Sequence, residues 1–242
     1  MYQKLNAELK SREFGILEIF FNSAKVFLKI FPALLIINAF LLFPVGFILE
    51  IFVPAYKPIE DYTLLIIVRY GVFIAVCFQI PAYNAIRIIA NQYLTEGKIN
   101  LWASIRKGFS KWGDFFGTST LMGAIAFFWF LFFIIPGLIF IVRLYFIGEA
   151  VVLRDLRGKS AISYSKSLVA GRWWKVFLTL LSVLINNYFL IFIFATICAF
   201  ITLIPLIGFT AGFVYRFISG FLTCFAFIVS TLYFVNLEYR KA

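Results

Sequence analysis

The chain has 242 residues, 63% of them hydrophobic and 14% charged, with 22 Lys and Arg against 11 Asp and Glu and a formal net charge of +11. A mean hydropathy of +0.99 and so few charges exclude an ordinary soluble protein, in which about 25% of residues are charged. At roughly 20 residues per crossing there is room for about six membrane spans and too little left for a soluble domain, and the lack of histidine removes the commonest general base and metal ligand.

The first 15 residues, MYQKLNAELKSREFG, are polar and lack the apolar core and cleavage site of a signal peptide, so the first span is expected to act as its own insertion signal. Ile16, Phe20, Phe27 and Phe31 then share one helical face and Glu18, Asn22, Lys25 and Lys29 the other, the pattern of a basic amphipathic helix lying in the membrane interface. Apolar runs at about 27–50, 63–90, 115–135, 137–153, 176–204 and 206–235 predict helical spans pairing into three hairpins. The run from Phe115 to Ile135 would be about 31 Å long as a helix, enough for a hydrocarbon core.

The connectors differ sharply in charge. The loop from Phe52 to Tyr62 carries Glu60 and Asp61 against Lys57, and the later turns at Pro136-Gly137 and at Pro205 with Gly208 carry no charge. In contrast, 18 of the 22 Lys and Arg fall in the N-terminal segment, the second and fourth connectors and the tail, with Arg87 counted in the second connector. By the positive-inside rule both termini and those connectors are expected to be cytoplasmic. Leu101, Ile105 and Trp112, with Arg106, Lys107 and Ser110 turned away, predict a second interfacial helix.

The two basic connectors resemble each other. Glu96-Gly97-Lys98 and Lys111-Trp112 recur 61 residues later as Arg157-Gly158-Lys159 and Arg172-Trp173. Residues 14–95, 96–156 and 157–242 thus read as three units within one membrane domain, 1–242, each a basic amphipathic helix followed by a hairpin. The fold class is all-α and polytopic.

Polar residues inside apolar runs are functional candidates by default: Arg69, Asn84, Arg143, Glu149, Asn186, Asn187 and Arg216. Arg143 and Glu149, six residues apart, face different sides of one helix, so their partners should come from other helices. The Arg143 guanidinium is expected to point into the bundle. The candidate lipid- or partner-binding residues are Arg143 and Arg216 within the spans and Lys107, Lys111, Arg157, Lys166, Arg172, Trp173, Trp174 and Lys175 at the joints, since Lys and Arg meet anionic headgroups and Trp anchors at the interface.

Chemistry is otherwise absent from the pattern. Cys77, Cys198 and Cys224 lie in apolar runs and read as small packing residues; Ser160, Ser163, Ser165 and Ser167 have no base to activate them; no phosphate loop or nucleophile elbow occurs. No catalytic residue, metal or cofactor is expected. The basic charge is spread along membrane edges, which argues for anionic lipid rather than nucleic acid.

The segment from Pro136-Gly137 through Arg143-Leu144, then SYSKSLVAG at Ser163 to Gly171, Arg172-Trp173-Trp174-Lys175-Val176-Phe177, and the ending Thr231-Leu232-Tyr233-Phe234 with Leu237 and Arg240 resembles bacterial inner-membrane proteins of the YciC-like and DUF975-like groups. It is also similar to the membrane domain that accompanies some glycerophosphodiester phosphodiesterases. The resemblance covers the C-terminal half; the first 110 residues match in layout alone. It implies a six-span helical fold in a bacterial cytoplasmic membrane with no established activity. The phosphodiesterase chemistry does not carry over, because it belongs to a separate barrel domain with histidines and metal-binding carboxylates.

Together these readings predict a non-enzymatic cytoplasmic-membrane protein engaging anionic lipids, partner membrane proteins or further copies of itself, in envelope or lipid homeostasis. The alternative is a small transporter, or the membrane subunit of a transport complex, with Arg143 and Arg216 lining a path.

Overall fold

The computed structural model describes residues 2–44, 62–132, 134–202 and 208–241. The expected loop between Phe52 and Tyr62, the turn at Pro205, and the side chains of Arg69 and Cys77 lie outside the described residues. Among those described, the chain is helical throughout and contains no strand.

The helices are α1 (Tyr2–Ser11), α2 (Ile16–Ile37, running into a π-helical turn at Asn38–Leu42), α3 (Tyr62–Glu96), α4 (Leu101–Ser110), α5 (Trp112–Phe132), α6 (Ile134–Arg143), α7 (Ile147–Arg154), α8 (Gly158–Val169), α9 (Trp173–Thr202) and α10 (Gly208–Lys241). Among the described residues four stretches are long and apolar enough to cross a membrane, Ile16–Leu42, Ile135–Arg154, Trp173–Ile201 and Val214–Lys241, and they mark a membrane protein.

Local chemistry sets the boundaries. The Glu18 carboxylate accepts the Gly15 N–H at 2.9 Å and starts α2; the Asn100 side chain accepts the Ala103 N–H at 3.1 Å and starts α4. Glycine ends α8 at Gly171, whose φ of 76° suits a residue without a Cβ. The run expected as one span over 137–153 falls within the candidate span Ile135–Arg154, and a tight turn follows Arg143 inside it, in which the Leu144 N–H is shared between the Phe140 and Ile141 carbonyls.

Two expectations are corrected here. The face formed by Ile16, Phe20, Phe27 and Phe31 is not a separate interfacial helix but the first half of continuous α2, since no glycine or charge cluster interrupts it before Ile37. The separate N-terminal helix is the polar α1. The second connector is also shorter than expected, because α3 runs on to Glu96. Arg87 therefore sits on that helix and is buried.

The best-packed region lies where α1, the C-terminal part of α3, α7, α8 and the C-terminal part of α10 meet. Leu9, Phe14, Ile86, Ile89, Phe146, Tyr233 and Phe234 are fully buried there. Asn236 holds α1 to α10: its side chain accepts the Phe14 N–H at 2.9 Å and donates to the Leu9 and Arg12 carbonyls at 3.1 and 3.0 Å. Helix α4 lies against α3 at Gly108, where a Cβ would stand 2.5 Å from the Pro81 carbonyl oxygen. By contrast α9 leaves Ile185, Phe189, Phe192 and Phe200 largely exposed, an apolar surface too extensive to face water.

Candidate functional site

Three polar groupings organise the bundle. The most enclosed joins Arg87 of α3, Glu149 of α7 and Ser230 of α10, all buried. Arg87 Nε lies 3.3 Å from Glu149 Oε1, Ser230 Oγ donates to the same oxygen at 2.8 Å, and Arg87 Nη1 donates to Asn84 Oδ1 at 3.4 Å. The guanidinium also sits over the rings of Phe227 and Phe115, at 4.3 and 5.3 Å from their centroids. Gly148 leaves room for it, since a Cβ there would be 2.9 Å from Arg87 Nη2. Glu149 thus has its partners on other helices, as its position in the sequence implies. Arg87 and Ser230 were not among the candidates; the signal was the i, i+3 spacing of Asn84 and Arg87 within an apolar helical face.

The second grouping is a set of carboxylates, each shared by two cations. Glu13 takes Arg172 and Lys175 at 3.1 and 2.7 Å. Asp155 takes Lys111 and Lys107 at 2.5 and 3.9 Å, and Asp114 takes Arg157 and Lys111 at 3.0 and 3.6 Å. Burial alone would raise the Glu13 carboxyl, but the hydrogen bonds and charges of Lys175 and Arg172 outweigh it and hold the group below its usual value. The Lys111 hydrogen bond lowers Asp155 likewise. Five of the candidate joint cations, Lys107, Lys111, Arg157, Arg172 and Lys175, are therefore already matched inside the protein.

The third grouping breaks that pattern. Arg143, at the end of α6, and Lys166, in the last turn of α8, line a pocket of about 260 Å³ together with Val169, Ala170, Gly171 and Trp173. Neither cation has a carboxylate within salt-bridge reach among the described residues. Lys166 instead lies 4.9 Å over the Phe140 ring. Contacts within the protein brace its wall: the Trp173 indole donates to the Ile139 carbonyl at 3.3 Å and stacks on Phe177 at 5.2 Å, while Ser165 Oγ donates to the Arg143 carbonyl at 2.9 Å. The start of the 30-residue α9 also borders this pocket, adding partial positive charge. An anionic group is what this arrangement suits.

Arg143 thus does not point into the bundle as expected. Its side chain is exposed at the pocket, within the candidate span Ile135–Arg154 and just before the turn at Leu144 that ends α6. Trp174, packed edge-on against Trp173 on α9, is 70% exposed and does not line the pocket. Arg216 lines a different cavity, of about 100 Å³, with Gln79, Tyr83, Ser219 and Thr223. The structure brings Arg143, Lys166 and Trp173 together and leaves Arg216 apart from them.

No family model, curated protein or solved structure matches this chain.

Proposed function

We propose that this is a non-enzymatic, multi-pass protein of a bacterial cytoplasmic membrane that binds anionic lipid headgroups in the pocket of Arg143, Lys166 and Trp173, in envelope or lipid homeostasis. The observation that carries the reading is the pair of cations without a carboxylate. At the basic joints the pairs Lys107–Lys111, Lys111–Arg157 and Arg172–Lys175 each share an acidic side chain; Arg143 and Lys166 instead share a pocket whose lining holds no carboxylate, so an anion seated there comes from outside the protein. A lipid phosphate supplies it, and an indole at the rim suits the membrane interface. Six spans in three hairpins are read from the six apolar runs and the cytoplasmic side of both termini from the asymmetry of the Lys and Arg residues, and the likeness to YciC-like and DUF975-like proteins supports the same layout.

Two experiments test this. Native mass spectrometry of the protein in mild detergent is expected to show retained phosphatidylglycerol that is lost in the Arg143→Ala, Lys166→Ala variant; unchanged retention would remove the pocket as the site. Cysteines introduced at Asn100 and Ser163 are expected to resist an impermeant label in intact cells, and labelling of either from outside would overturn the six-span layout.

A transport reading has one observation in its favour: Arg216 lies in a cavity with the polar side chains of Gln79, Tyr83, Ser219 and Thr223. Solute uptake by proteoliposomes that falls with Arg216→Ala and not with Arg143→Ala would favour it.

A further inference from the structure

Helix α9 carries a polar group that the lipid reading does not use. Asn186 stands 13 residues beyond Trp173, about 20 Å along the helix, on the least covered of the four candidate spans; 17% of its apolar window is buried, against 39% and 50% in the others. The side chain faces an apolar groove of about 430 Å³ walled by Phe20 and Phe27 of α2, Leu190 of α9, and Phe221 and Phe225 of α10. Its amide makes no hydrogen bond among the described residues. Next to it, the buried Oδ1 of Asn187 has no donor either.

Three occupants compete for the groove: an acyl chain, an unrelated transmembrane helix, and a second copy of this chain. Acyl chains fill apolar space but offer neither donor nor acceptor, so they leave the Asn186 amide unsatisfied in hydrocarbon. A neighbouring helix with a polar side chain at the same depth satisfies it. A carboxamide is both donor and acceptor, so across a two-fold axis the same asparagine of a second copy answers both needs, and an isologous contact requires no other gene product.

We propose that the protein self-associates along α9, with Asn186 opposite the same asparagine of a second copy and the phenylalanine-walled groove receiving apolar side chains of that copy. This inference does not rest on the Arg143 pocket, which opens on another face of the α9 start.

Full-length protein labelled with donor and acceptor dyes and reconstituted in phosphatidylcholine–phosphatidylglycerol vesicles tests it by energy transfer over a range of protein-to-lipid ratios. Wild type is expected to associate, Asn186→Leu to shift the midpoint about fivefold toward monomer, and Asn186→Gln, which keeps the amide, to stay within about twofold of wild type. Thermal unfolding matching wild type establishes that Asn186→Leu is folded. A wild type monomeric at every ratio, or an Asn186→Leu variant associating as wild type does, would overturn the proposal. So would labelling of Phe27 or Leu190 in wild type by a photoactivatable acyl chain, which assigns the groove to lipid. Retained phosphatidylglycerol is expected to be unchanged by Asn186→Leu, so this test and that of the lipid pocket fail separately.

Discussion

Replacing Glu149 with alanine is expected to destabilise the protein by about 3–5 kcal/mol, because it leaves the Arg87 guanidinium buried without its counter-charge. The pair is held by a single 3.3 Å contact and by Ser230 at 2.8 Å, so no other carboxylate stands ready to replace it among the described residues. The rings of Phe227 and Phe115 soften the loss but do not neutralise the charge. Removing both ends of the pair, as in Arg87→Met with Glu149→Leu, is expected to recover most of the stability, since a buried ion pair and an apolar pair of similar volume are often close in energy. Unfolding of the purified variants in mild detergent measures both. A Glu149→Ala variant within about 1 kcal/mol of wild type would mean that water reaches the pair.

Asn236→Ala ranks next, with an expected loss of about 2–4 kcal/mol, because truncation strands the Phe14 N–H and removes the donor to the Leu9 and Arg12 carbonyls in one step. Those three bonds join the last turn of α1 and the entry to α2 to the end of α10. A stability loss alone would also follow from a cavity. The specific expectation is faster backbone hydrogen exchange in α1 and at Phe14, while exchange in α9 stays as in wild type. Uniform acceleration across all helices would deny Asn236 its local role.

Both of these residues show what a sequence can and cannot reveal. Helix content, the apolar stretches and the polar outliers Glu149, Asn186 and Arg143 are legible, because hydrophobic periodicity and a charge in an apolar run are local signals. The partner of Glu149 is not, for Arg87 lies 62 residues earlier and looks like the first charge of a wet connector; only the continuation of α3 to Glu96 carries it inside. The carboxylates that neutralise Arg172 and Lys175 are equally hidden, since Glu13 is 159 and 162 residues away. A count of basic residues therefore overstates the charge available to lipid. The exposure of Arg143 is hidden for another reason: the apolar run reads as one continuous helix, while the turn after Arg143 lies beside the buried side chain of Phe146.

The contrast between matched and unmatched cations is the direct test of the lipid-binding reading. Binding of phosphatidylglycerol and phosphatidylcholine to delipidated protein is measured for wild type, for Arg143→Ala with Lys166→Ala, and for Arg172→Ala with Lys175→Ala. The first pair should lower phosphatidylglycerol affinity roughly tenfold or more, at about 1 kcal/mol per cation, with the effect fading as salt rises. The second pair, whose charges Glu13 already holds, should change it little, and neither pair should alter phosphatidylcholine. Equal losses from both pairs would reduce the effect to general surface charge, and no loss from the first would contradict an anionic-lipid site at Arg143 and Lys166.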